Sequence, residues 1–268
     1  LTKVGCSALC GSLAAIASAD AGSLTVVGGA DLTFTSLGED VTGQPIGMGS
    51  NVTFKGSGEL DNGWTFDLAI ANLNGAAYSA ANVTLTMGGL GKINFNQGNS
   101  GNGIAAYDNV MPTAWEEAHG AGLSGGVKTV LGSGASNNVQ YTLPTFAGTT
   151  IALTYAREYG TSDENDKVAT AGEDENGSSY DATIKINPSF GTEILSGLNL
   201  YAGASVVEVY DNSSTTEEDK YEGVGAITYA LGPVEVGAMW SALYSGEESS
   251  LTTYHTYKNH AFGIAFNV

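Results

Sequence analysis

Carboxylates are the side chains of this sequence with the most evident capacity for chemistry. The chain carries 28 Asp and Glu against 9 Lys and Arg, a formal net charge of −19. Such acids keep loops solvated, bridge divalent cations at a membrane surface, or create a field that attracts cations. The acidic segment 163–166 lacks the glycine and the distal glutamate of an EF-hand loop, so no ordered calcium site is predicted. The acids concentrate in polar segments that we predict to be loops, around residues 39–40, 158–175, 211–219 and 247–248.

The histidines, serines and cysteines show no arrangement that is typical of an enzyme. The histidines are His119, His255 and His260, and no serine lies in the sequence context of a nucleophile elbow. Cys6 and Cys10 fall in an N-terminal segment that we expect to be removed. The enzymatic alternative is an outer-membrane lipase that uses Ser, His and Asn. We predict instead that the protein is not an enzyme and that it uses no cofactor and no metal ion.

Composition and charge exclude several classes of function. A net charge of −19 opposes binding to nucleic acid, because like charges repel. The mean hydropathy is near zero, 38 residues are glycine and only 14% are charged, which fits a soluble domain poorly. After Ala21 no run approaches the roughly 18 apolar residues of a membrane helix. A membrane-spanning structure would therefore be built from strands.

The first 21 residues have the features of a secretory signal peptide. Lys3 supplies a short basic region, residues 4–17 are moderately apolar, and small residues follow at the spacing of a cleavage site. We expect cleavage after Ala21, which leaves residues 22–268 as one domain. The mature chain then has no cysteine, as suits passage through an oxidising periplasm.

Apolar and polar side chains alternate in stretches of about ten residues through most of the remaining chain. In residues 51–60, for example, Val52 and Phe54 share one face while Thr53 and Lys55 share the other. Because successive side chains of a strand point to opposite faces, one face suits lipid and the other suits water. Twelve stretches are predicted to be strands: residues 24–35, 51–60, 64–73, 81–87, 92–97, 138–143, 149–157, 180–186, 198–207, 220–229, 234–244 and 258–268.

The predicted connections fall into two classes. One class is longer, more acidic and rich in Gly, Ser, Asn and Thr. Short turns on one rim and long loops on the other are typical of an antiparallel, up-and-down transmembrane β-barrel, and so is an even number of strands. We favour this all-β fold over a water-soluble β-sandwich, which would also alternate. The short class comprises residues 61–63, 88–91, 144–148, 187–197 and 230–233.

Three segments resemble Gram-negative porins. Residues 137–148, Asn-Asn-Val-Gln-Tyr-Thr-Leu-Pro-Thr-Phe-Ala-Gly, are similar to a porin strand-turn-strand element. Residues 89–98 resemble the glycine turn and strand that lead into the porin constriction loop. At the end of the chain, Gly263, Phe266 and Val268 resemble the C-terminal assembly signal, with Val where Phe is usual. The resemblance implies a general diffusion porin in the outer membrane of a Gram-negative bacterium.

The resemblance also implies a constriction loop. Residues 98–137 form the third long loop by our count, and in porins that loop folds into the barrel and narrows the pore. The alternative is that its residues are ordinary loop residues exposed to water. If the loop does constrict the pore, the acids that face the lumen are Asp108, Glu116 and Glu117, and the same segment is shaped by Trp115, Pro112 and His119.

The predicted barrel departs from the family in its strand number and its charge. General porins have sixteen strands, so either further short strands lie in the long loops or this barrel is smaller. Acids outnumber bases on the face predicted to line the lumen, and rings of carboxylates lower the energy of a permeating cation. We therefore predict a preference for cations. The lumen-wall residues are Lys55, Asp67, Asp181, Lys185, Glu222 and Glu235.

The predicted function is passive diffusion of small hydrophilic solutes and ions through a water-filled lumen. One alternative is a substrate-specific channel, in which wall residues such as Tyr201 bind one class of solute. Another is a structural or adhesive barrel whose lumen is plugged.

The partners that the resemblance implies are outer-membrane lipid and lipopolysaccharide, the barrel assembly machinery, and two further copies of the chain in a homotrimer. Nucleic acid is not expected to bind. One candidate contact between copies is a set of small and apolar residues that could equally face lipid, namely Leu198, Leu200, Ala202 and Ala204.

Overall fold

The fold is taken from a computed structural model of the chain. It describes residues 22–34, 46–73, 76–97, 101–112, 128–157, 159, 176–188, 193–209, 218–246 and 256–266. Trp115, Glu116, Glu117 and His119 of the predicted constriction loop lie outside the described residues.

Strands dominate the described residues. A four-residue helix, α1 (Glu193–Ser196), lies in the connection between the eighth and ninth strands, and no helix in the described ranges is long and apolar enough to cross a membrane. The strands are β1 (Ser23–Phe34), β2 (Ile46–Glu59), β3 (Thr65–Leu73), β4 (Ala76–Thr86), β5 (Lys92–Gln97), β6 (Asn137–Thr142), β7 (Thr149–Ala156), β8 (Asn176–Ile186), β9 (Leu198–Val209), β10 (Lys220–Leu231), β11 (Val234–Tyr244) and β12 (Thr256–Phe266).

The strand order in the sheet is the order of the sequence, from β1 to β12, and every pairing whose register is described is antiparallel. The prediction of twelve up-and-down strands is confirmed. The largest differences are at the starts of β2, β4 and β8, which begin five, five and four residues earlier than predicted. Residues 46–50 and 176–179 are rich in Gly and Ser, so they carry little alternation although their backbone can still pair.

Residues 1–94 form one compact unit, which contains β1 to β4. Its register places Val26 opposite Phe54 and Phe54 opposite Ile70, which builds an apolar face. Thr25 is opposite Lys55, and Ser57 is opposite Asp67. The two charged residues thus share the other face, which we call the polar face of the first unit.

Residues 95–268 form the second compact unit, which contains β6 to β12. Its strands expose large apolar side chains and bury small or polar ones. In β7, Leu153 is 51% exposed while Thr154 is 4% exposed, and in β12 Phe262 is 83% exposed. The apolar face of the second unit includes Leu153, Tyr180, Ile227, Trp240 and Phe262, and its polar face includes Thr154, Asp181, Ser205, Glu222, Ser241 and Asn259.

This distribution is the reverse of that in a soluble sheet, where large apolar side chains are buried. A small apolar cluster lies instead between the polar face and the loop that covers it. Ile104 and Val130 of the loop pack there with Val224 of β10, and Tyr107 and Met239 border them. The apolar face is left exposed over its whole width, as expected for a surface that contacts lipid.

We predict that Leu153→Arg strongly destabilises the folded chain in lipid, whereas Leu153→Ala does not. A charged residue on the lipid face costs roughly 2–4 kcal/mol near the middle of the bilayer, and alanine introduces no charge. The free energy of unfolding should be measured by urea titration of the chain refolded into vesicles. Equal losses in the two variants would show that this face does not contact lipid.

Candidate functional site

The candidate site lies where the loop between β5 and β6 packs against the polar face of the second unit. The loop is described over residues 101–112 and 128–136. Each segment contains one 3₁₀ turn, Gly103–Tyr107 in the first and Gly132–Ala135 in the second. The two turns pack against each other and against β8 and β9. The described segments of the loop therefore cover the wall.

Asp181 of β8 anchors both segments of the loop. The backbone N–H of Ile104 donates to Asp181 Oδ2 at 2.8 Å. The Ser133 backbone N–H donates to Oδ1 at 3.0 Å, and the Ser133 hydroxyl donates to the same oxygen at 2.9 Å. The carboxylate is 4% exposed, so these bonds replace the water that it has lost.

Glu222 of β10 makes a second anchor of the same kind. Its Oε2 accepts from the backbone N–H of Leu131 at 2.7 Å and of Gly132 at 3.0 Å. Gly132 has φ +46, and a Cβ there would lie 2.5 Å from Asp181 Oδ2, so only glycine fits between the two carboxylates. In the register, Ser205 of β9 pairs with both acids. Asp181 and Glu222 thus lie side by side across the sheet, separated by one intervening strand, β9.

Side-chain amides hold the start of the first described loop segment to β6, and Gln140 of β6 also bonds to β7. Asn102 Nδ2 donates to Asn138 Oδ1 at 2.7 Å. Gln140 Oε1 accepts from the backbone N–H of Gly103 at 2.8 Å and from the Thr154 hydroxyl at 3.0 Å. Asn138 and Gln140 belong to the porin-like segment 137–148, and alternation places them on the polar face.

An aromatic pair joins the loop to β9. The rings of Tyr107 and Tyr201 meet edge to face with centroids 5.2 Å apart, and Lys185 Nζ lies 5.2 Å from the Tyr201 centroid. Burial raises the pKa of the Tyr107 hydroxyl, against the opposing effect of its hydrogen bond with Thr183. Lys185 is therefore a cation on the polar face of β8 that contacts an aromatic ring.

The loop also reaches the last two strands. Asn259 Nδ2 of β12 donates to the Lys128 carbonyl oxygen at 2.6 Å and to the Ser241 hydroxyl at 3.2 Å. Met111 and Pro112, at the end of the first described segment, are buried. The described loop contacts thus extend along the polar face from β6 to β12.

Tyr159 lies just beyond β7 on the same side as the loop anchors. Burial raises its pKa to about 12, and the negative charges of Glu222 and Asp181 act in the same direction. Lys220 Nζ lies 5.5 Å from the centroid of its ring. The Tyr159 hydroxyl therefore stays neutral and adds no negative charge near Asp181 and Glu222.

The predicted site residues occupy different positions. Asp181, Glu222 and Lys185 lie at the contact between wall and loop, whereas Asp108 ends the first 3₁₀ turn and is half-buried. Glu235 lies on the polar face of β11, and Lys55 and Asp67 lie on the polar face of the first unit. Several residues at this contact are not among the predicted site residues, although alternation alone places the strand members on this face: Ser133, Asn138, Gln140, Thr183 and Asn259.

Antiparallel strands with an exposed apolar face, together with a loop held on the polar face, are typical of β-barrels of the outer membrane. The particular family follows from comparison with known proteins. The chain belongs to the Gram-negative porins, whose family model matches residues 5–268. It is therefore an outer-membrane protein with the antiparallel up-and-down barrel fold of porin channels.

The fold is shared with a solved porin structure. A porin refined at 1.8 Å resolution superimposes with a TM-score of 0.52 at 15% identity, covering 90% of this chain and 78% of that one, which shows a shared fold. A mutant of the Rh. blastica porin gives a TM-score of 0.40 at 14% identity, covering 82% of this chain and 88% of that one. No curated protein matches the chain.

We predict that Asp181→Ala lowers the free energy of unfolding by about 3 kcal/mol, because it leaves the N–H groups of Ile104 and Ser133 buried without an acceptor. Urea titration in vesicles measures this change. The control is Asp67→Ala, which removes an exposed acid and should cost within about 0.5 kcal/mol. A small change in both variants would show that the carboxylate does not hold the loop.

Proposed function

We propose that the protein forms a water-filled channel for passive diffusion of small hydrophilic solutes and ions, with a preference for cations. The observation that carries this proposal is the loop held against the polar face by Asp181 and Glu222. A loop that is fixed to the wall at several strands occupies part of the cross-section of the pore. Its backbone groups bond to the wall and so do not depend on water for their hydrogen bonds. It therefore sets the size limit for permeating solutes.

We place the constriction at this loop. Asp108 is half-buried beside the first 3₁₀ turn, close to Tyr107. The proposed constriction residues are Asp108, Trp115, Glu116, Glu117 and His119.

The proposed cation preference rests on the charges that remain available to solutes. Asp181 and Glu222 are buried and already accept backbone N–H groups, so their field at the lumen is partly offset by those dipoles. Asp67 is exposed on the polar face of the first unit, and Glu235 is half-buried on that of the second. With the loop acids, these two carboxylates are the ones we expect to act on permeating ions.

A substrate-specific channel is a second candidate, favoured by the Tyr107–Tyr201 pair and the nearby Lys185. Aromatic rings and an ammonium group together can bind a solute that has both an apolar face and polar substituents. A specific channel would show current block that saturates with one solute class, whereas a general channel would not.

We further propose a mature chain that starts at Gly22 and assembles as a homotrimer in contact with lipopolysaccharide. Lys258 and His260 interrupt the apolar face near the start of β12, where both are exposed. A cation on a lipid-facing surface is costly unless a headgroup or another subunit contacts it. This supports an anionic lipid or a second copy as the neighbour of β12.

We predict that the chain refolded from Gly22 conducts steadily in a planar bilayer, with a reversal potential of cation sign under a salt gradient. Neutralising two acids of the polar faces with Asp67→Asn and Glu235→Gln should reduce the ratio of cation to anion permeability by about twofold, because fewer carboxylates stabilise a cation.

Asp61→Asn is the control, since Asp61 is exposed in the turn between β2 and β3. It should leave the ratio nearly unchanged. A reversal potential of anion sign in the wild type would contradict the cation preference. Silence from a correctly folded chain would indicate a plugged lumen and favour the structural or adhesive alternative.

A further inference from the structure

Two glycines face each other on the polar face of the second unit, where β11 pairs with β12. Gly237 and Gly263 are register partners. Their neighbours on the same face are Met239 of β11 and Ala261 of β12, which have side chains. The absence of two adjacent side chains leaves a notch in the wall, formed by Gly237 and Gly263.

Pro112 of the loop fills this notch. A Cβ built on Gly237 would lie 2.7 Å from Pro112 Cδ and 3.2 Å from the Sδ and Cε atoms of Met111. A Cβ built on Gly263 would lie 2.6 Å from the Pro112 carbonyl oxygen, 2.9 Å from Cδ and 3.0 Å from the backbone nitrogen. The contacts with Pro112 Cδ and with its carbonyl oxygen are too close for a real Cβ, so the loop lies here only because both wall residues are glycine.

The notch lies at the far end of the described loop contacts. Asp181 and Glu222 hold the loop at β8 and β10, whereas Pro112 rests on β11 and β12. The hydrogen bond from Asn259 to the Lys128 carbonyl oxygen holds the returning segment at the same two strands. Pro112 thus fixes the loop where the carboxylate anchors do not reach.

We propose that Gly237 and Gly263 position the constriction loop by accepting Pro112 into the wall, and so help to set the cross-section of the pore. This inference rests on the proposed function of the loop as a constriction. It gives Gly263 a role in permeation, in addition to its place in the Gly-x-x-aromatic-x-hydrophobic pattern at the C-terminus.

The experiment compares single-channel conductance of the full mature chain with Gly237→Ala and Gly263→Ala. Each added methyl pushes Pro112 off the wall into the lumen, and we expect at least about a 1.3-fold lower conductance, because permeation depends on the cross-section. Gly225→Ala is the matched control, since the nearest heavy atom to a Cβ there is the Tyr201 carbonyl oxygen at 4.0 Å. It should conduct as the wild type does.

A change on the loop side tests the same contact without altering a strand. Pro112→Ala removes Cδ, the atom nearest to Gly237, but keeps the carbonyl oxygen nearest to Gly263. Combined with Gly237→Ala, it should restore the conductance of the Pro112→Ala single variant. Combined with Gly263→Ala, it should not, because the contact with the carbonyl oxygen persists.

The outcomes below distinguish a failure of the notch proposal from a failure of the proposed channel function. A silent wild type refutes the channel itself, whereas wild-type conductance in both glycine variants overturns only the notch. Loss of assembly in Gly263→Ala, with wild-type conductance in Gly237→Ala, would assign Gly263 to assembly and also overturn it. If neither glycine variant assembles, Pro112→Ala decides: more frequent current fluctuations support the notch, and unchanged fluctuations overturn it.

Discussion

The whole structure depends on satisfying backbone hydrogen bonds where water is absent. In hydrocarbon an unpaired N–H or C=O group costs several kcal/mol, so spanning strands must pair with one another. Here the strand order follows the sequence from β1 to β12, with antiparallel pairing in every described register. Once the strands are paired in this way, side-chain alternation separates an apolar face from a polar one. The polar face is then available to line an aqueous channel.

The loop on the polar face must meet the same requirement without a neighbouring strand. Its N–H groups at Ile104, Leu131 and Ser133 donate to two wall carboxylates, Asp181 and Glu222. Charged acceptors make strong bonds, and here they replace the water that the loop and the wall lose on contact. Acids that the sequence places on the polar face therefore also hold the described segments of the loop in position.

Close approach of the loop to the wall limits side-chain size on the polar face. The residues beneath it include Ser205, which is nearly fully buried, and the glycines Gly237 and Gly263. Small side chains let the loop backbone approach the strands, and few apolar residues are needed to fill the gap. Most large apolar side chains consequently lie on the lipid-facing surface, whereas in a soluble sheet they are buried.

The sequence by itself determined the twelve strands and the face on which each side chain lies, because alternation is a local property with a period of two residues. It therefore placed Asp181 and Glu222 on the polar face. Only the tertiary structure decided what those acids bind, since their partners at Ile104 and Leu131 lie 77 and 91 residues away in the chain. No periodic pattern in the sequence predicts the path of an irregular loop. Contacts over such separations depend on how the strands bring distant segments together.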